Sequence, residues 1–409
     1  MTATSSPSPA RERLLEVISR HWGYSSFRPM QEEAMTAALS RRDSLVVLPT
    51  GGGKSLCYQA PAMLEEKITV VVSPLISLMK DQVDGLIECG VPAVQMNSSQ
   101  DGLEHRAIEH DIRSGRVKLL FVSPERLAMA SFREVLRRAG VGAFAIDEAH
   151  CISHWGHDFR PEYRQLRAIK QIFPEARVHA YTATAAEAVR RDIVQQLALA
   201  DPLVLVGSFD RPNLTYRVLP RRDELRQTIE VIERHKGEAG IIYCLRRRDV
   251  DDLTAGLRRA GYNAVAYHAG LPQQERREAQ DAFSSERCDL VVATVAFGMG
   301  IDRSNVRFVL HAAMPKSVEH YQQETGRAGR DGLEAECVLL YSGGDAVVWR
   351  SMLSGCEVEV SAEYLAASMR HVGDIDRYCS GSVCRHRALS EYFGQQLEAE
   401  HCGACDLCL

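Results

Sequence analysis

Short apolar runs alternate with amphipathic stretches along most of the chain. Ten runs rich in β-branched residues predict strands: SLVVLP, ITVVVS, LLFVSP, AFAIDE, VHAYTA, GIIYC, AVAYH, LVVATV, VRFVLH and AECVLLY. Nearly continuous apolar strands separated by helical patterns are typical of parallel sheets that are covered on both faces. The pattern therefore predicts an α/β fold.

The alternation of strands and helices is interrupted twice. It pauses at ADPLVLVGSFDRPNLTYRV, residues 200–218, where two prolines and a glycine predict a domain boundary near residue 208. After YSGGD, residues 341–345, the strands stop and helical, cysteine-containing sequence begins. We expect three domains, 1–208, 209–343 and 344–409, the first two with parallel sheets and the last small and helical.

Composition adds limits on class and location. A length of 409 residues suggests two or three domains at roughly 150 residues each. No run approaches the ~18 apolar residues of a membrane helix, and the polar N-terminal segment does not resemble a secretion signal, so a cytoplasmic protein is expected. A net charge of −5 neither indicates nor excludes a nucleic-acid partner. Twelve cysteines in such a chain predict thiols or metal ligands rather than disulfides.

A glycine-rich segment lies between the first predicted strand and a helix. In LPTGGGKS, residues 48–55, the glycines allow backbone N–H groups to surround phosphate oxygens, Lys54 can reach the terminal phosphates, and Ser55 can hold Mg²⁺. Leu48 stands where the full phosphate-loop pattern has its first glycine. The alternative is a glycine-rich turn that happens to carry a lysine.

Another predicted strand ends in two acids. In AFAIDEAH, residues 143–150, Asp147 suits a contact to Mg²⁺, directly or through water, and Glu148 suits a residue that orients or deprotonates the attacking water. Acids at strand ends are also often merely solvated. The phosphate loop upstream favours the functional interpretation.

The segment QQETGRAGRDG, residues 322–332, belongs to the second predicted α/β unit. Arg327 and Arg330 are three residues apart, a spacing that predicts two guanidinium groups on one helical face, directed at a phosphate chain as arginine fingers. A surface helix with ordinary salt bridges is the alternative.

Four cysteines near the C-terminus have the spacing of metal ligands. Cys402, Cys405 and Cys408 follow a C-x2-C-x2-C pattern, and Cys384 lies upstream. Four thiolates suit tetrahedral Zn²⁺, with the long gap joining a helix to the terminal loop. Free thiols are the alternative.

The stretch HCISHWGHDFRPEY, residues 150–163, is too polar for a buried strand and too aromatic for an ordinary solvated loop. Trp155 and Phe159 offer faces on which unpaired bases could stack, and Arg160 could contact a phosphate or a base. The histidines leave a metal site open as an alternative, and Cys151 leaves a reactive thiol open.

The ordered set of motifs resembles the RecQ family of superfamily 2 DNA helicases, with paired RecA-like domains, from about residue 20 to 408. Besides the segments above, the resemblance rests on WGYSSFRPMQ (22–31), VVVSPLISLMKDQV (70–83), FVSPERL (121–127), YTATA (181–185), SFDRPNL (208–214), YHAGL (267–271) and ATVAFGMGID (293–302).

The resemblance implies roles for individual residues. Gln31 would read the adenine edge, with Tyr24 and Arg28 as stacking or ribose-side partners, and an amide has the donor and acceptor that adenine requires. The implied ATP-binding residues are Tyr24, Arg28, Gln31, Thr50, Gly51, Gly52, Gly53, Lys54 and Ser55. The family pattern also places the first zinc ligand at Cys384 rather than at the nearby Cys379.

Contacts to a nucleic-acid strand are implied in both α/β units. In the family, the aromatic segment couples DNA occupancy to ATP turnover, and residues 153–161 follow its pattern. The implied contacts and coupling residues are His154, Trp155, His157, Phe159, Arg160, Thr182, Thr184, Arg246, Thr294 and Asp302. Arg247 and Arg248 extend the basic run at Arg246, although such a run is often only a solvated face.

The resemblance implies an ATP-driven 3′-to-5′ DNA helicase acting on single-stranded and partly duplex DNA, in repair, recombination or replication. A bacterial member would be associated with the nucleoid. A nucleic-acid-binding scaffold with an idle ATP site and an RNA helicase remain as alternatives. Many family members continue into a winged-helix domain and a small helical domain, so we expect either a trimmed core or a minimal member, with weaker unwinding than a longer form.

Overall fold

The computed structural model describes residues 9–40, 42–97, 100–298, 303–355, 361–397, 399 and 401–409. The chain forms two compact units, residues 1–207 and 208–409. The division lies one residue from the boundary expected near residue 208. The expected boundary at residues 343 and 344 falls inside the second unit.

The described part of the first unit contains a seven-stranded sheet with the order β3-β4-β2-β5-β6-β1-β7. All its strand pairs are parallel. The strands are β1 (Ser44–Val47), β2 (Ile68–Val72), β3 (Ala93–Met96), β4 (Leu119–Val122), β5 (Val141–Ile146), β6 (Arg177–Thr182) and β7 (Leu203–Val206). Because parallel strands require crossover connections, helices cover the sheet.

The helices of the first unit alternate with its strands. They are α1 (Pro9–Trp22), α2 (Gln31–Leu39), α3 (Leu56–Leu64), α4 (Ile76–Glu88), α5 (Gly102–Arg113), α6 (Pro124–Ala128), α7 (Ala130–Ala139), α8 (Ile169–Ile172) and α9 (Glu187–Gln196). Asp101 begins α5 with a capping box, accepting hydrogen bonds from two backbone amides of the first turn. The apolar core joins α1, α2, α3 and α4 to the central strands.

The second unit repeats this design with a six-stranded parallel sheet among its described residues, in the order β10-β11-β9-β12-β13-β8. The strands are β8 (Leu214–Pro220), β9 (Ala239–Tyr243), β10 (Ala264–Tyr267), β11 (Leu290–Ala293), β12 (Val306–His311) and β13 (Ala335–Tyr341). The helices are α10 (Glu224–Arg234), α11 (Arg247–Arg259), α12 (Gln273–Ser284), α13 (Val318–Thr325), α14 (Gly344–Ser354), α15 (Ala362–Ser380) and α16 (Arg385–Tyr392).

The predicted α/β class is confirmed, and the ten predicted strands all form. We expected the series of strands to pause over residues 200–218. This expectation is wrong, because β7 and β8 both lie in that segment. Strand β7 pairs with β1 at one edge of the first sheet, and β8 pairs with β13 at one edge of the second. The prolines at 202 and 212 and the glycine at 207 lie just outside the two strands, which is why the segment resembles a linker.

A buried acid on β13 ties three elements of the second unit together. Glu336 accepts hydrogen bonds from Arg217 Nε on β8 (2.8 Å) and Arg234 Nη2 on α10 (2.9 Å), and it lies 3.1 Å from His235 Nε2. Burial alone would raise the pKa of Glu336, but hydrogen bonds from His235 and Arg234 lower it to about 2. The carboxylate is therefore a charged anchor for the edge of the sheet.

None of the helices described here is both long enough and apolar enough to cross a membrane.

Candidate functional site

The phosphate loop, residues 48–55, connects β1 to α3. Gly51 and Gly53 have φ angles of +80° and +76°, a backbone region that side chains with a Cβ rarely adopt. Lys54 Nζ donates hydrogen bonds to the carbonyl oxygens of Leu48 (3.0 Å) and Pro49 (3.4 Å). The ammonium group thus lies across the loop, at the start of the helix whose N-terminal amides favour anions.

Two of the predicted adenine-side residues contact this loop directly. Gln31 Oε1 accepts from the backbone N–H of Arg28 (2.8 Å), Gln31 Nε2 donates to Gly53 O (3.2 Å), and the Arg28 guanidinium donates to Gly51 O. Each end of the Gln31 amide keeps a second hydrogen or lone pair that could serve a base. Tyr24 is 52% exposed. The structure therefore places Gln31 and Arg28 against the phosphate loop, within the first unit.

The acidic pair, Asp147 and Glu148, lies at the carboxyl end of β5. Burial, followed by the charge of Glu148, raises the pKa of Asp147 to about 6. Burial alone would also raise the pKa of Glu148, but the hydrogen bond and charge of His150 outweigh it and lower that pKa to about 2. Glu148 Oε2 lies 3.3 Å from His150 Nδ1, and the pKa of His150 is raised although burial opposes its charge. Environments that separate two neighbouring acids in this way are typical of sites with divided roles.

Asp147 is supported by Tyr58 and Gln82, which the sequence patterns did not single out, and by Tyr163 of the aromatic segment. The Tyr58 hydroxyl donates to Gln82 Oε1 (2.9 Å), and the Gln82 side chain in turn hydrogen-bonds Asp147. From the other side, the Tyr163 hydroxyl donates to Asp147 O (3.0 Å). Gln82 lies in the quoted motif VVVSPLISLMKDQV, but an amide on an amphipathic helix carries no local signal for this contact.

The aromatic loop, residues 150–163, is built onto the acidic pair. The His150 ring stacks on His157, with centroids 4.4 Å apart and an interplanar angle of 17°. A Cβ on Gly156 would lie 2.6 Å from His150 O, so the close approach of the loop requires glycine. Ser153 Oγ donates to Asp192 Oδ2 on α9 (2.6 Å). These contacts hold the loop against the domain.

The side chains expected to meet bases differ in exposure. Trp155 is 48% exposed. Phe159 is half-buried, with the His154 ring 3.9 Å away and the Arg164 guanidinium 5.6 Å from its centroid. Arg160 donates to Asp158 Oδ2 (3.1 Å) and to Pro74 O (2.9 Å). Trp155 is thus the aromatic side chain that this loop presents to solvent, whereas Phe159 and Arg160 are engaged within the unit.

A metal site and a reactive thiol were the alternatives for this loop. Ligand atoms of His150, Cys151 and Asp158 lie within 4.8 Å of one another, a possible three-ligand set. His150 Nδ1 is engaged by Glu148 and Thr182, and Asp158 Oδ2 accepts from Arg160. Burial raises the pKa of the Cys151 thiol, which disfavours a reactive thiolate. The chemistry of this donor set therefore fits a metal or a reactive thiol poorly.

The YTATA segment connects to the same histidine. Thr182 Oγ1 lies 2.8 Å from His150 Nδ1 and donates to Thr184 O (3.3 Å). Both threonines are buried at the end of β6. His150 therefore links Glu148, the aromatic loop and the end of the neighbouring strand.

In the second unit the expected helical placement of the two arginines is wrong. Helix α13 ends at Thr325, and Arg327 and Arg330 lie in the turns that follow it, where glycines at 326 and 329 interrupt the helix. Both side chains are half-buried, and the Arg327 guanidinium donates to Gly298 O.

The other residues of this unit that were predicted to contact a nucleic-acid strand differ in exposure. Thr294 directly follows β11 and is buried, with its N–H donating to Tyr267 O (3.1 Å). Arg246 is exposed at the start of α11, where its N–H donates to Asp249 Oδ2 (3.1 Å). Asp302 lies outside the described residues.

The four predicted zinc ligands converge. The Sγ atoms of Cys384, Cys402, Cys405 and Cys408 all lie within 4.8 Å of one another, and Cys379 is not part of this cluster. The pKa of Cys405 is lowered to about 7, because backbone amides near its sulfur outweigh the effect of burial. The pKa values of the Cys402 and Cys408 thiols are raised, so the fit to tetrahedral Zn²⁺ rests on the convergence of four sulfur ligands.

The cluster is anchored to the second sheet from both sides of Cys405. The N–H of Tyr216 on β8 donates to Ala404 O (3.0 Å), and the N–H of Asp406 donates to Tyr216 O (2.9 Å). The Arg385 guanidinium, next to Cys384, donates to both carboxylate oxygens of Asp406 (2.9 and 3.1 Å).

Fold and site define a phosphate-loop protein with two RecA-like parallel-sheet units and a cysteine cluster. Three family models match successive segments: DEAD/DEAH box helicase over residues 28–192, helicase conserved C-terminal domain over 222–332, and RecQ zinc-binding over 343–409.

The similar proteins include two bacterial relatives named ATP-dependent DNA helicase RecQ. The relative from Pasteurella multocida is 46% identical over 401 residues, which cover 98% of this chain and 63% of that protein. The relative from Bacillus subtilis is 42% identical over 398 residues, 97% of this chain and 67% of that protein. A solved structure of the DUF1998 helicase MrfA bound to DNA shares the fold, with a TM-score of 0.69 at 18% identity, covering 96% of this chain and 60% of that one.

The chain belongs to the RecQ family of superfamily 2 helicases. It spans about 63% of the length of the Pasteurella multocida relative and of a similar one from Haemophilus influenzae.

Proposed function

We propose that this chain is the core of an ATP-dependent DNA helicase that moves 3′ to 5′ on single-stranded DNA and unwinds duplexes. The observation that carries the proposal is the set of contacts around His150. This residue pairs with Glu148, meets Thr182 and begins the aromatic loop. A change at Trp155 on DNA binding would therefore reach the acid that handles water through a short, packed path. Family membership supports the choice of DNA and the direction.

The chemistry follows from the residues around the phosphate loop. Backbone amides of residues 50–53 and the Lys54 ammonium would hold the phosphates, while Ser55 and Asp147 would hold Mg²⁺. When bound, the ion neutralises charge on the phosphate oxygens. Because the pKa of Glu148 is low, its carboxylate stays ionised at neutral pH and can orient the attacking water. Arg327 and Arg330 are proposed to stabilise the charge that develops on the phosphates.

Base selection is assigned to Gln31, with Tyr24 and Arg28 beside the base and ribose. Gln31 donates to Gly53 O and Arg28 donates to Gly51 O in the phosphate loop. A base that pairs with the Gln31 amide would therefore stiffen the loop that holds its phosphates. This shared contact supports ATP as the nucleotide.

Contact with the single-stranded DNA is assigned to Trp155. The loop around Trp155 is shaped by His154, His157, Phe159 and Arg160. Further contacts are proposed for Thr182, Thr184, Arg246, Thr294 and Asp302. The exposure of Trp155 and Arg246 supports direct roles, whereas the burial of Thr182 and Thr184 supports a role in coupling.

The C-terminal segment is proposed as a structural zinc unit with Cys384, Cys402, Cys405 and Cys408 as ligands. Its sulfurs lie beside β8, so the bound metal would fix the end of the chain to the second sheet. We propose the domain limits 1–208, 209–343 and 344–409, action on DNA in repair, recombination or replication, and residence with the DNA of the cell.

The decisive measurement is ATP hydrolysis with and without single-stranded DNA or RNA of equal sequence. We expect DNA to stimulate turnover and Lys54→Ala to abolish it. Lys236→Ala is the matched control, since Lys236 is an exposed lysine paired with Glu233. A rate of ATP hydrolysis that DNA does not change, or that is the same in Lys54→Ala, contradicts a DNA-driven motor. Equal stimulation by RNA contradicts the DNA preference.

Direction is tested separately with duplexes that carry either a 3′ or a 5′ single-stranded tail. A 3′-to-5′ motor separates the strands of the 3′-tailed duplex when ATP is present and leaves the 5′-tailed duplex intact. Separation of the 5′-tailed duplex alone would reverse the assignment of polarity.

A further inference from the structure

A cavity of about 260 Å³ lies beneath α3, at the end of the helix remote from the phosphate loop. Its walls come from α3, between Tyr58 and Leu64, and from residues of β2, β5 and β6. The apolar part includes Tyr58, Pro61, Ala143, Ala145 and Tyr181. Apart from Tyr58, whose hydroxyl donates to Gln82, the residues that line this cavity have no part in the proposed helicase activity.

Small side chains on β5 explain why the cavity exists. Alternate residues of a strand point to the same face, so Ala143 and Ala145 lie side by side under α3. The neighbouring strand carries the bulky Tyr181, which packs against Tyr58 with ring centroids 5.2 Å apart. The two rings form one wall, and the alanines leave the adjacent space open.

Two polar groups of β6 enter this apolar space. His179 is only 2% exposed; its Nδ1 lies 2.9 Å from Ser44 Oγ, while Nε2 is buried with no hydrogen-bond partner in the described part of the chain. Arg177 Nε is buried and likewise has no partner among the described residues. Buried donors are normally paired, so both groups point to an acceptor that the protein itself does not supply.

The charges around the cavity define the acceptor. Arg177 lies two residues before His179 on the same face of β6, and Lys67 stands exposed at the rim. Glu65 and Glu66 also border the opening and disfavour a ligand with several negative charges. Burial lowers the pKa of His179 to about 4, so this ring is neutral and can give a single hydrogen bond from Nε2 when Ser44 donates to Nδ1.

We propose that this cavity binds a small monocarboxylate with one apolar ring, the ring against Tyr58 and Tyr181 and the carboxylate between Arg177 and His179. Size agrees with this assignment, because an apolar cavity of about 150 Å³ already holds benzene. The ligand would contact α3 at Tyr58 and Pro61, and none of the predicted nucleotide-binding residues lines the cavity.

The test uses benzoate as the probe, with binding followed by saturation-transfer NMR on the whole chain. We expect saturable binding that is not displaced by excess ADP with Mg²⁺. Loss of one charged hydrogen bond in Arg177→Gln should weaken binding about tenfold or more. The neutral analogue benzamide should bind more weakly by a similar factor. Arg191→Gln, an exposed position on α9, is the matched control and should bind benzoate normally.

A second variant tests the location independently of charge. Ala143→Val narrows the cavity from β5 with a residue that suits a strand, so it should weaken benzoate and benzamide alike. The proposal is overturned if benzoate does not bind, if benzamide binds equally well, or if Arg177→Gln and Ala143→Val leave binding unchanged. Displacement of benzoate by ADP would place the anion at the phosphate loop instead and would also overturn it.

Discussion

The substitution Gly53→Ala tests the contact between Gln31 and the phosphate loop. Gly53 has a φ of +76°, and a Cβ built there would lie 2.3 Å from Gln31 Nε2. Two costs should add. The left-handed backbone costs an alanine about 1 kcal/mol, and displacement of the Gln31 amide removes its bond to Gly53 O, at about 1 kcal/mol or more. We expect the first unit to lose about 2–3 kcal/mol of unfolding free energy.

Gly115→Ala separates these two costs. Gly115 has nearly the same φ, +71°, but nothing lies within 4 Å of a Cβ built there. It should therefore show only the backbone cost of about 1 kcal/mol. Urea unfolding of both variants, with equal slopes, gives the difference directly. If Gly53→Ala costs no more than Gly115→Ala, the Gln31 amide does not hold the loop in solution and the argument for a shared base and phosphate contact fails.

Three further outcomes are expected. Glu336→Gln should lower the unfolding free energy by about 2 kcal/mol near pH 6. Because the pKa of Glu336 in the native protein is lowered to about 2, the difference from the unsubstituted protein should shrink as pH falls from about 4.5 toward 2. A difference that does not depend on pH contradicts the charged anchor. Cys402→Ser should lose the bound zinc measured by mass spectrometry, whereas Cys89→Ser should retain it; equal zinc in both would exclude Cys402 as a ligand. Trp155→Ala should raise the DNA concentration for half-maximal ATPase stimulation about 5- to 150-fold without changing ADP affinity, since base stacking contributes about 1–3 kcal/mol. Leu103→Ala, at an exposed position, is the control, and a loss of ADP affinity in Trp155→Ala would indicate that Trp155 packs on the nucleotide site instead.

Local sequence patterns predicted much of the fold and several of the candidate site residues. Apolar runs predicted the strands because buried parallel strands must be apolar on both faces. The phosphate loop and the terminal cysteines were recognisable because glycine conformation and ligand spacing are encoded within a few residues. Three strands, β3, β7 and β8, were missed, and all three lie at sheet edges. The prolines and the glycine beside β7 and β8 made that segment resemble a linker.

Contacts between distant residues were decided only by tertiary structure. The helical spacing of Arg327 and Arg330 did not produce a helix, because the glycines beside them end α13 first. Gln82 meets Asp147 across 65 positions of sequence, and the cavity beneath α3 exists because alanines of β5 face Tyr58. The aromatic loop was predicted as a sensor, yet packing decides that Trp155 is open to solvent while Phe159 and Arg160 are engaged. The periodicity of apolar residues and the spacing of motif residues predict the local backbone conformation. The exposure and the hydrogen-bond partners of a side chain depend on which helices and strands the fold places next to it.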